Sequence, residues 1–592
     1  MNDMRFVQIE MKIVLHTQNK MCQTKDQLLS SEIFTKMVHL YFQHLQKTNS
    51  ILIEQLGLNT KQAEASARLA VLLRMLEETT LEQLSNILPY AKDFLSRKKA
   101  LHKFVEGLYD YWRHFDRFMI CHSEQGLNGH DRKPYRTFNE TIEKLSHLVR
   151  AVYRDICENI TGDHPRVYRQ VHAGCNVGII AVDKKWQPPN EYKDLLTDIP
   201  FIRQLLINPP FIINPPMNKR TGQFQKVNEN PLIGMTLNKQ EWLCYPAQIG
   251  PLTIFVYFHQ NFLELGCSLA NLFELATDDQ ITSGPDAIYL FGAPPEHMQK
   301  YGDLPTVFHD DEKNNLTVAA VPSESRFGYF GYLKKMVLTL HNIVMMRRGR
   351  MPFHGAMSLV TLKGGGSANV LLIGDTAAGK SETLEAFRIM GEEYIRNLTI
   401  IADDMGSIEI SQNGKIIGYG TEIGAFIRLD DLQQGYAFGQ IDRSIIMSPH
   451  KINARIVLPV TTIEEVLEGY PIDFLLYANN YEEVDDKHPA IEQFTDAETA
   501  CHVFQEGTVL AKGTTTSTGL VHSYFANIFG PPQYKEVHEK LATETMKAAF
   551  KGNIYVGQMR TQLGIPGYES SGPEEAAREL FALIKNHTQK GQ

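Results

Sequence analysis

The sequence predicts a mixed α/β protein with a helical region in front. Three observations carry that reading. Over the first ~160 residues apolar side chains recur at helical spacing. From about residue 165 the texture changes to short apolar runs such as NVGIIAV and LTIFVYF, broken by prolines and alternating with helix-like runs. Further on, the apolar run Val370 to Ile373 leads directly into a glycine-rich loop and then a helix-compatible segment, TLEAFRIM.

In the front region, SSEIFTKMVHLYFQHL places Ile33, Phe34, Met37, Val38, Tyr41 and Leu45 on one helical face, with Ser30 or Ser31 as N-cap. EASARLAVLLRMLEE and KKALHKFVEGLYDYWRHFDRFMI continue the helical pattern. Gln125 to Pro134 reads as a loop, after which Asn139 is suited to cap a helix carrying Ile142, Leu145, Val149, Val152 and Ile156. The cluster Tyr109, Tyr111, Trp112, Phe115 and Phe118 reads as helix-packing core rather than a ligand face. NPPFIINPPMN, residues 208–218, is a rigid loop.

Composition narrows the function. The chain has 592 residues, a net charge of −9 and 43% hydrophobic residues, which excludes wholesale disorder and argues against a nucleic-acid coat. The seven cysteines stand singly with no CxxC pair, which suits a reducing compartment and speaks against a disulfide framework or a structural zinc site. No apolar run approaches the ~20 residues that span a bilayer, and the first residues lack a secretory pattern. A cytoplasmic protein without nucleic-acid or membrane partners is expected.

The strongest chemical signal is NVLLIGDTAAGKSE. Gly374, Asp375, Thr376, Ala377, Ala378, Gly379, Lys380, Ser381 and Glu382 form a P-loop pattern, Gly-x-x-x-x-Gly-Lys-Ser, in a strand–loop–helix setting. Its glycines let backbone N–H groups converge on phosphate oxygens at a helix N-terminus. Lys380 would neutralise phosphate charge and Ser381 would ligate a divalent ion. Downstream, LTIIADDMGSIEI is a second buried strand ending in Asp403-Asp404, a pair suited to metal binding or general-base work after a P-loop.

These residues resemble the superfamily joining phosphoenolpyruvate carboxykinases and HPr kinase/phosphorylases, in which a histidine precedes the P-loop and an Asp-Asp follows it. Here the motifs are Phe353-His354-Gly355, Gly379-Lys380-Ser381-Glu382 and Ala402-Asp403-Asp404. The local wording is closest to HPr kinases. The wider frame is similar to ATP-dependent carboxykinases, whose Tyr-x-x-x-x-Lys-Lys segment is matched by Tyr329 through Lys334-Lys335. The resemblance implies that Lys335, His354 and Asp404 hold Mn2+, and that Ser381 helps hold the Mg2+ of bound ATP. A lysine ligates a metal only when neutral, so its pKa must be depressed. By the same resemblance Arg428, in the segment from Glu422 to Arg428, takes a cationic position, and Arg443 meets the transferred phosphoryl group. Thr514 to Thr518 reads either as the family's mobile lid or as a plain exposed loop.

The likeness covers roughly residues 315–592. It implies a P-loop carboxykinase-like core of two lobes with an added all-α N-terminal domain. The expected divisions are 1–160 helical, 161–330 substrate-side α/β lobe and 331–592 nucleotide- and metal-binding lobe. The family's Thr-Gly-Arg-Ser-Pro-Lys dicarboxylate segment has no counterpart, and Asn218 to Gly222 with Arg220 is the loose candidate for it. Tyr329, Arg220 and Arg350 are therefore the expected substrate contacts, in a rebuilt acceptor pocket. The arginines at 347, 348 and 350 read either as an anion clamp or as a solvated basic loop.

The expected activity is ATP-dependent phosphoryl transfer through Lys380, Asp403, Arg428 and Arg443, to a hydroxyl of an unidentified small molecule or protein. The alternatives are a true carboxykinase making phosphoenolpyruvate and, from another class, a non-catalytic ATP sensor. The helical front domain is a possible site for a protein partner.

Overall fold

The structure, a computed structural model, describes residues 4–17, 22–58, 62–123, 135–183, 186–375, 378–380, 382–383, 386–387, 394–429, 438–512 and 518–590. The chain forms two compact units. One comprises Met1–Asp183 with Ile202–Asn208; the other comprises Lys184–Phe201 with Pro209–Gln592. Among the described residues no helix is long and apolar enough to cross a membrane.

In the first unit, strands β1 (Met4–Ile9) and β2 (Lys12–Thr17) form an antiparallel hairpin. Helix α1 (Glu32–Lys47) starts at Ser31, whose hydroxyl accepts from the Phe34 N–H, and it buries Met37, Val38, Tyr41, Phe42 and Leu45. Helix α2 (Lys98–Arg113) is followed by strand β3 (Asp116–Ser123), helix α3 (Tyr135–Thr161) and strand β4 (Val177–Val182). Strand β3 pairs in parallel with β2 on one side and β4 on the other.

This unit is therefore mixed α/β rather than the expected all-α domain. The run Phe118–Cys121 continues the helical period of α2, but it is apolar on both faces, which suits a strand between two neighbours. Arg117 marks the switch. Its buried guanidinium donates to the Trp112 carbonyl (2.9 Å), the Phe115 carbonyl (3.1 Å) and Gly174 O (2.7 Å), satisfying the helix end. Pairing with β3 draws β4 into the same unit, so the boundary lies near residue 183 rather than 160. Asn139 lies inside α3 instead of capping it, and the loop expected at 125–134 is outside the described residues. Trp112, Phe115 and Phe118 are buried core, as read from the sequence.

The second unit contains two large sheets. The first includes β5 (Trp242–Ile249), β6 (Leu252–His259), β7 (Ala287–Ala293), β8 (Val307–Asp311) and β9 (Leu316–Pro322), in the order β5-β6-β7-β9-β8. Helix α4 (Phe330–Arg347) comes next and is buried along nearly its whole length, as a helix apolar on all sides must be.

The second sheet is built on β10 (Met351–Leu362), β11 (Ser367–Ile373), β12 (Ile395–Ala402), β13 (Met405–Ile410), β14 (Ile416–Gly420), β18 (Phe474–Asn479) and β19 (Tyr555–Arg560). Its order is β14-β13-β10-β11-β18-β19, with β12 also on β10; β10 is antiparallel to its neighbours, while β11, β18 and β19 run parallel. A smaller sheet joins β15 (Gly424–Arg428), β16 (Ile445–Met447) and β17 (Arg455–Pro459). Because α4 packs on β7 and β9 of the first sheet and on β10 and β13 of the second, the division expected near residue 330 falls inside one unit.

Candidate active site

Three strand ends of the second sheet meet at one place. Strand β10 carries His354, β11 runs into the P-loop at Gly374, and β12 ends at Asp403-Asp404. The backbone fixes their alignment: the Gly374 N–H donates to His354 O (3.1 Å) and the Gly355 N–H to Asp404 O (3.0 Å).

At the P-loop, two glycines are demanded by space. A Cβ on Gly374 would fall 2.8 Å from Ala478 Cβ and 2.9 Å from Ala378 Cβ. Gly379 has φ +99°, and its Cβ would lie 2.7 Å from Thr561 Oγ1. Thr561 itself donates to Ala378 O (2.7 Å), tying the loop to the end of β19. Lys380 is buried, and its ammonium donates to Gly374 O and to Asp375 O (3.2 Å). A buried cation met only by neutral carbonyls among its described contacts suits an incoming phosphate. Burial lowers its pKa, against the pull of Asp404, Asp375 and Asp403. Thr376, Ala377 and Ser381 lie outside the described residues, as does the expected lid at 514–517. The segments flanking that lid, Thr508–Lys512 and Thr518–His522, form an antiparallel hairpin.

The acidic pair is embedded among cations. Lys334, fully buried, places Nζ 2.8 Å from Asp404 Oδ2 and 3.2 Å from Glu422 Oε2. Burial opposes the Lys334 charge, but Asp404 and Glu422 outweigh it and raise its pKa. Asp404 is held well below the usual carboxylate range: its own burial is overcome by Lys334 and by His354. Asp403 is pushed up to about 6 by burial and by repulsion from Asp404. Burial carries Glu422 up to about 8, with the two aspartates overriding part of the help from Lys334.

Whether a divalent ion fits can be judged from His354. Its Nδ1 faces the Ala526 carbonyl and its Nε2 lies 2.9 Å from Asp404 Oδ1. With Nδ1–H donating to Ala526 O, a neutral ring turns a bare lone pair toward the carboxylate. Two acceptors at that distance need a positive centre, either a second ring proton or a metal ion. The site therefore fits a cation. Ala526 is presented by three consecutive residues in left-handed backbone, Phe525, Ala526 and Asn527, with φ of 45°, 58° and 61°.

Lys335 points differently from Lys334. Its Nζ lies 4.3 Å from the Phe529 ring centroid, and burial, aided by Arg220 and Lys334, lowers its pKa to about 8 despite Asp404. Arg220 shares that ring at 5.8 Å and also covers Phe224 at 5.0 Å. It is delivered there by Tyr332 of α4, whose hydroxyl accepts from the Thr221 N–H (3.1 Å). Tyr329 is buried; burial raises its pKa against the nearby charges of Arg455 and Arg220. Arg455 lies 5.3 Å over Phe426, and Arg428 is its direct cross-strand neighbour, which puts both on one sheet face.

The structure thus gathers Tyr329, Lys335, His354, the described P-loop residues, Asp403, Asp404 and Arg220 in one region, with Arg428 on the face shared by Arg455 and Phe426. It does not gather the other two. Arg443 is exposed at the end of the short helix Phe438–Arg443, and none of its described contacts is with these residues. Arg350 pairs with Glu409 and lies 4.3 Å over the Tyr419 ring, while Arg347 pairs with Asp310 at 2.8 Å. Sequence reasoning missed Lys334, Glu422 and Arg455. The available signals were the doubled lysine at 334–335 and the glutamate opening the Glu422–Arg428 segment. Neither a protein-family model nor a curated protein matches the chain.

Proposed function

We propose that the chain is an ATP-dependent phosphotransferase with a phosphoenolpyruvate carboxykinase-like active site, acting as a kinase on a small-molecule or protein hydroxyl. The observation that carries the reading is the convergence of the buried Lys380 ammonium, held by loop carbonyls, with His354 and the Asp403-Asp404 pair at adjoining strand ends. The reading takes the two sheets of the second unit as a substrate-side lobe and a nucleotide-side lobe.

Lys335, His354 and Asp404 would hold Mn2+, and Ser381 would help hold the Mg2+ of ATP. When bound, these ions supply positive charge to the phosphoryl oxygens. The protein does the rest. Lys380 exchanges its own loop carbonyls for phosphate oxygens, which orients the donor and stabilises its charge. Lys334 stays with Asp404 and Glu422 and keeps the acidic pair in place. Asp403, with its carboxyl near pKa 6, accepts the acceptor hydroxyl's proton on a carboxylate oxygen. Arg220, Arg455 and Tyr329 bind the anionic part of the acceptor, with Arg428 on the same side.

A second reading, a true carboxykinase converting oxaloacetate and ATP to phosphoenolpyruvate, CO2 and ADP, is favoured by Arg220. Its placement beside Lys335 and Tyr329 gives the acceptor side the guanidinium groups a dicarboxylate needs. Phosphorus NMR of the full chain with ATP, Mg2+ and Mn2+ separates the readings. A phosphate monoester formed from a hydroxyl compound supports the kinase, and phosphoenolpyruvate formed from oxaloacetate supports the carboxykinase. ATP left unchanged with every acceptor overturns both.

A further inference from the structure

The first unit carries a second cluster of chemistry-bearing side chains, unrelated to the P-loop. His102 and Glu106 stand four residues apart on α2, which puts them on one helical face. Cys157 reaches the same point from α3. Their donor atoms all lie within 4.8 Å of one another, the one such group of three His, Cys, Asp or Glu ligands among the described residues.

The spacing matches a metal polyhedron. His102 Nε2 is 3.5 Å from Glu106 Oε1, and Cys157 Sγ is 3.9 Å from the same oxygen. With zinc bonds of about 2.0 Å to N or O and about 2.3 Å to S, tetrahedral ligand edges are roughly 3.3–3.6 Å. The two edges that meet at Glu106 are within a few tenths of an ångström of that geometry, and the His102–Cys157 edge is within 4.8 Å. Tyr153, one turn before Cys157, donates its hydroxyl to Glu106 Oε1 at 2.6 Å and is stacked on Tyr109 at 4.1 Å. That is how an outer residue orients a ligating carboxylate. Cys157 is buried, whereas the His102 and Glu106 side chains are 35% and 44% exposed, so an ion and a water can enter from that face.

We propose that His102, Glu106 and Cys157 form a zinc site with three protein ligands and a solvent molecule in the fourth position, clamping α2 to α3. A thiolate beside imidazole and carboxylate favours Zn2+ over the hard ions expected at the P-loop. On binding, the Cys157 thiol loses its proton to solvent and its sulfur forms the metal bond.

The test is a Co2+ titration of the full chain after removal of bound metal with a chelator. The expected result is one equivalent giving a near-ultraviolet thiolate-to-cobalt charge-transfer band with visible bands of tetrahedral intensity, displaced by Zn2+. The P-loop site has no thiolate among its expected ligands, so this band reports the new site alone. Cys157→Ser should abolish the band and Cys501→Ser should leave it. His102→Gln and Glu106→Gln, both on the half-exposed face, should each weaken Co2+ binding at least tenfold, and Tyr153→Phe should weaken it about tenfold. No band in the unaltered chain, or a band surviving Cys157→Ser, overturns the proposal. If Cys157→Ser does not fold, unchanged affinity in the His102 and Glu106 variants overturns it equally.

Discussion

Replacing Lys334 by Met and, separately, Lys335 by Met should move the stability of the second unit in opposite directions. Lys334 is a buried cation whose ammonium meets the Asp404 carboxylate at 2.8 Å and the Glu422 carboxyl group at 3.2 Å. Its removal leaves the Asp404 carboxylate buried without its counter-ion, a change that typically costs about 3–5 kcal/mol. Lys335 has no such pair. Its pKa falls from 10.5 to about 8 because burial penalises the charged form. At about 1.4 kcal/mol per unit, carrying the proton at pH 7 costs roughly 3 kcal/mol, an upper bound because part of the side chain reaches solvent. Lys335→Met should therefore stabilise the metal-free protein at pH 7. The sign follows from linkage: below pH 8 the folded state bears the whole penalty. Between pH 8 and 10.5 the unfolded chain holds more protons, so the unaltered protein regains stability and the advantage of the variant fades. Thermal unfolding of the two variants at pH 7 and pH 10 checks this. A Lys335→Met variant as unstable as Lys334→Met would refute the reasoning, because it would mean that the two lysines share one role. Activity should show the converse of the stabilisation: Lys335→Met, though more stable, should lose Mn2+-dependent turnover.

Three further outcomes follow from the same geometry. Gly379→Ala should abolish ATP binding in calorimetry, since its Cβ meets Thr561 at 2.7 Å and its φ of +99° is foreign to alanine. His341 and His538 are buried neutral with pKa values near 4, through burial in both cases, so stability should be intact above about pH 6.5 and fall progressively toward pH 4. Each contributes up to roughly 3 kcal/mol to that acid loss, and His538→Gln should flatten the pH profile of unfolding. Ala526→Gly should raise stability by up to about 1 kcal/mol by relieving a left-handed alanine at φ 58°, without moving the carbonyl that meets His354; a fall in the unfolding temperature would count against strain there.

The sequence alone disclosed what is local. The P-loop is a contiguous run between a strand and a helix, and Asp403-Asp404 closes a recognisable apolar strand, so both were legible. The lysine facing Asp404 was not, because neighbouring residues on a helix differ by about 100° in direction. That angle decides between Lys334 and Lys335. Arg455 was hidden for a different reason: its place opposite Arg428 depends on the register of β15 on β17, which sequence periodicity leaves open. Strand β3 is hidden in the sequence because Phe118–Cys121 satisfies both the helical and the strand period, and only pairing with β2 and β4 selects one. The zinc cluster shows both sides. His102 and Glu106 at i and i+4 are visible in sequence, but Cys157 joins them only when α3 packs on α2.

The measurement closest to the central claim is the γ-phosphate signal of ATP followed by phosphorus NMR, with Mg2+, Mn2+ and an acceptor found to be phosphorylated. The comparison is between the unaltered chain, Lys380→Ala and Asp403→Asn. Acceptor-dependent loss of that signal is expected in the unaltered chain, slowed at least about 10²-fold in both variants, with Asp403→Asn still binding ATP. Phosphoryl transfer at an undiminished rate in Lys380→Ala would contradict that claim.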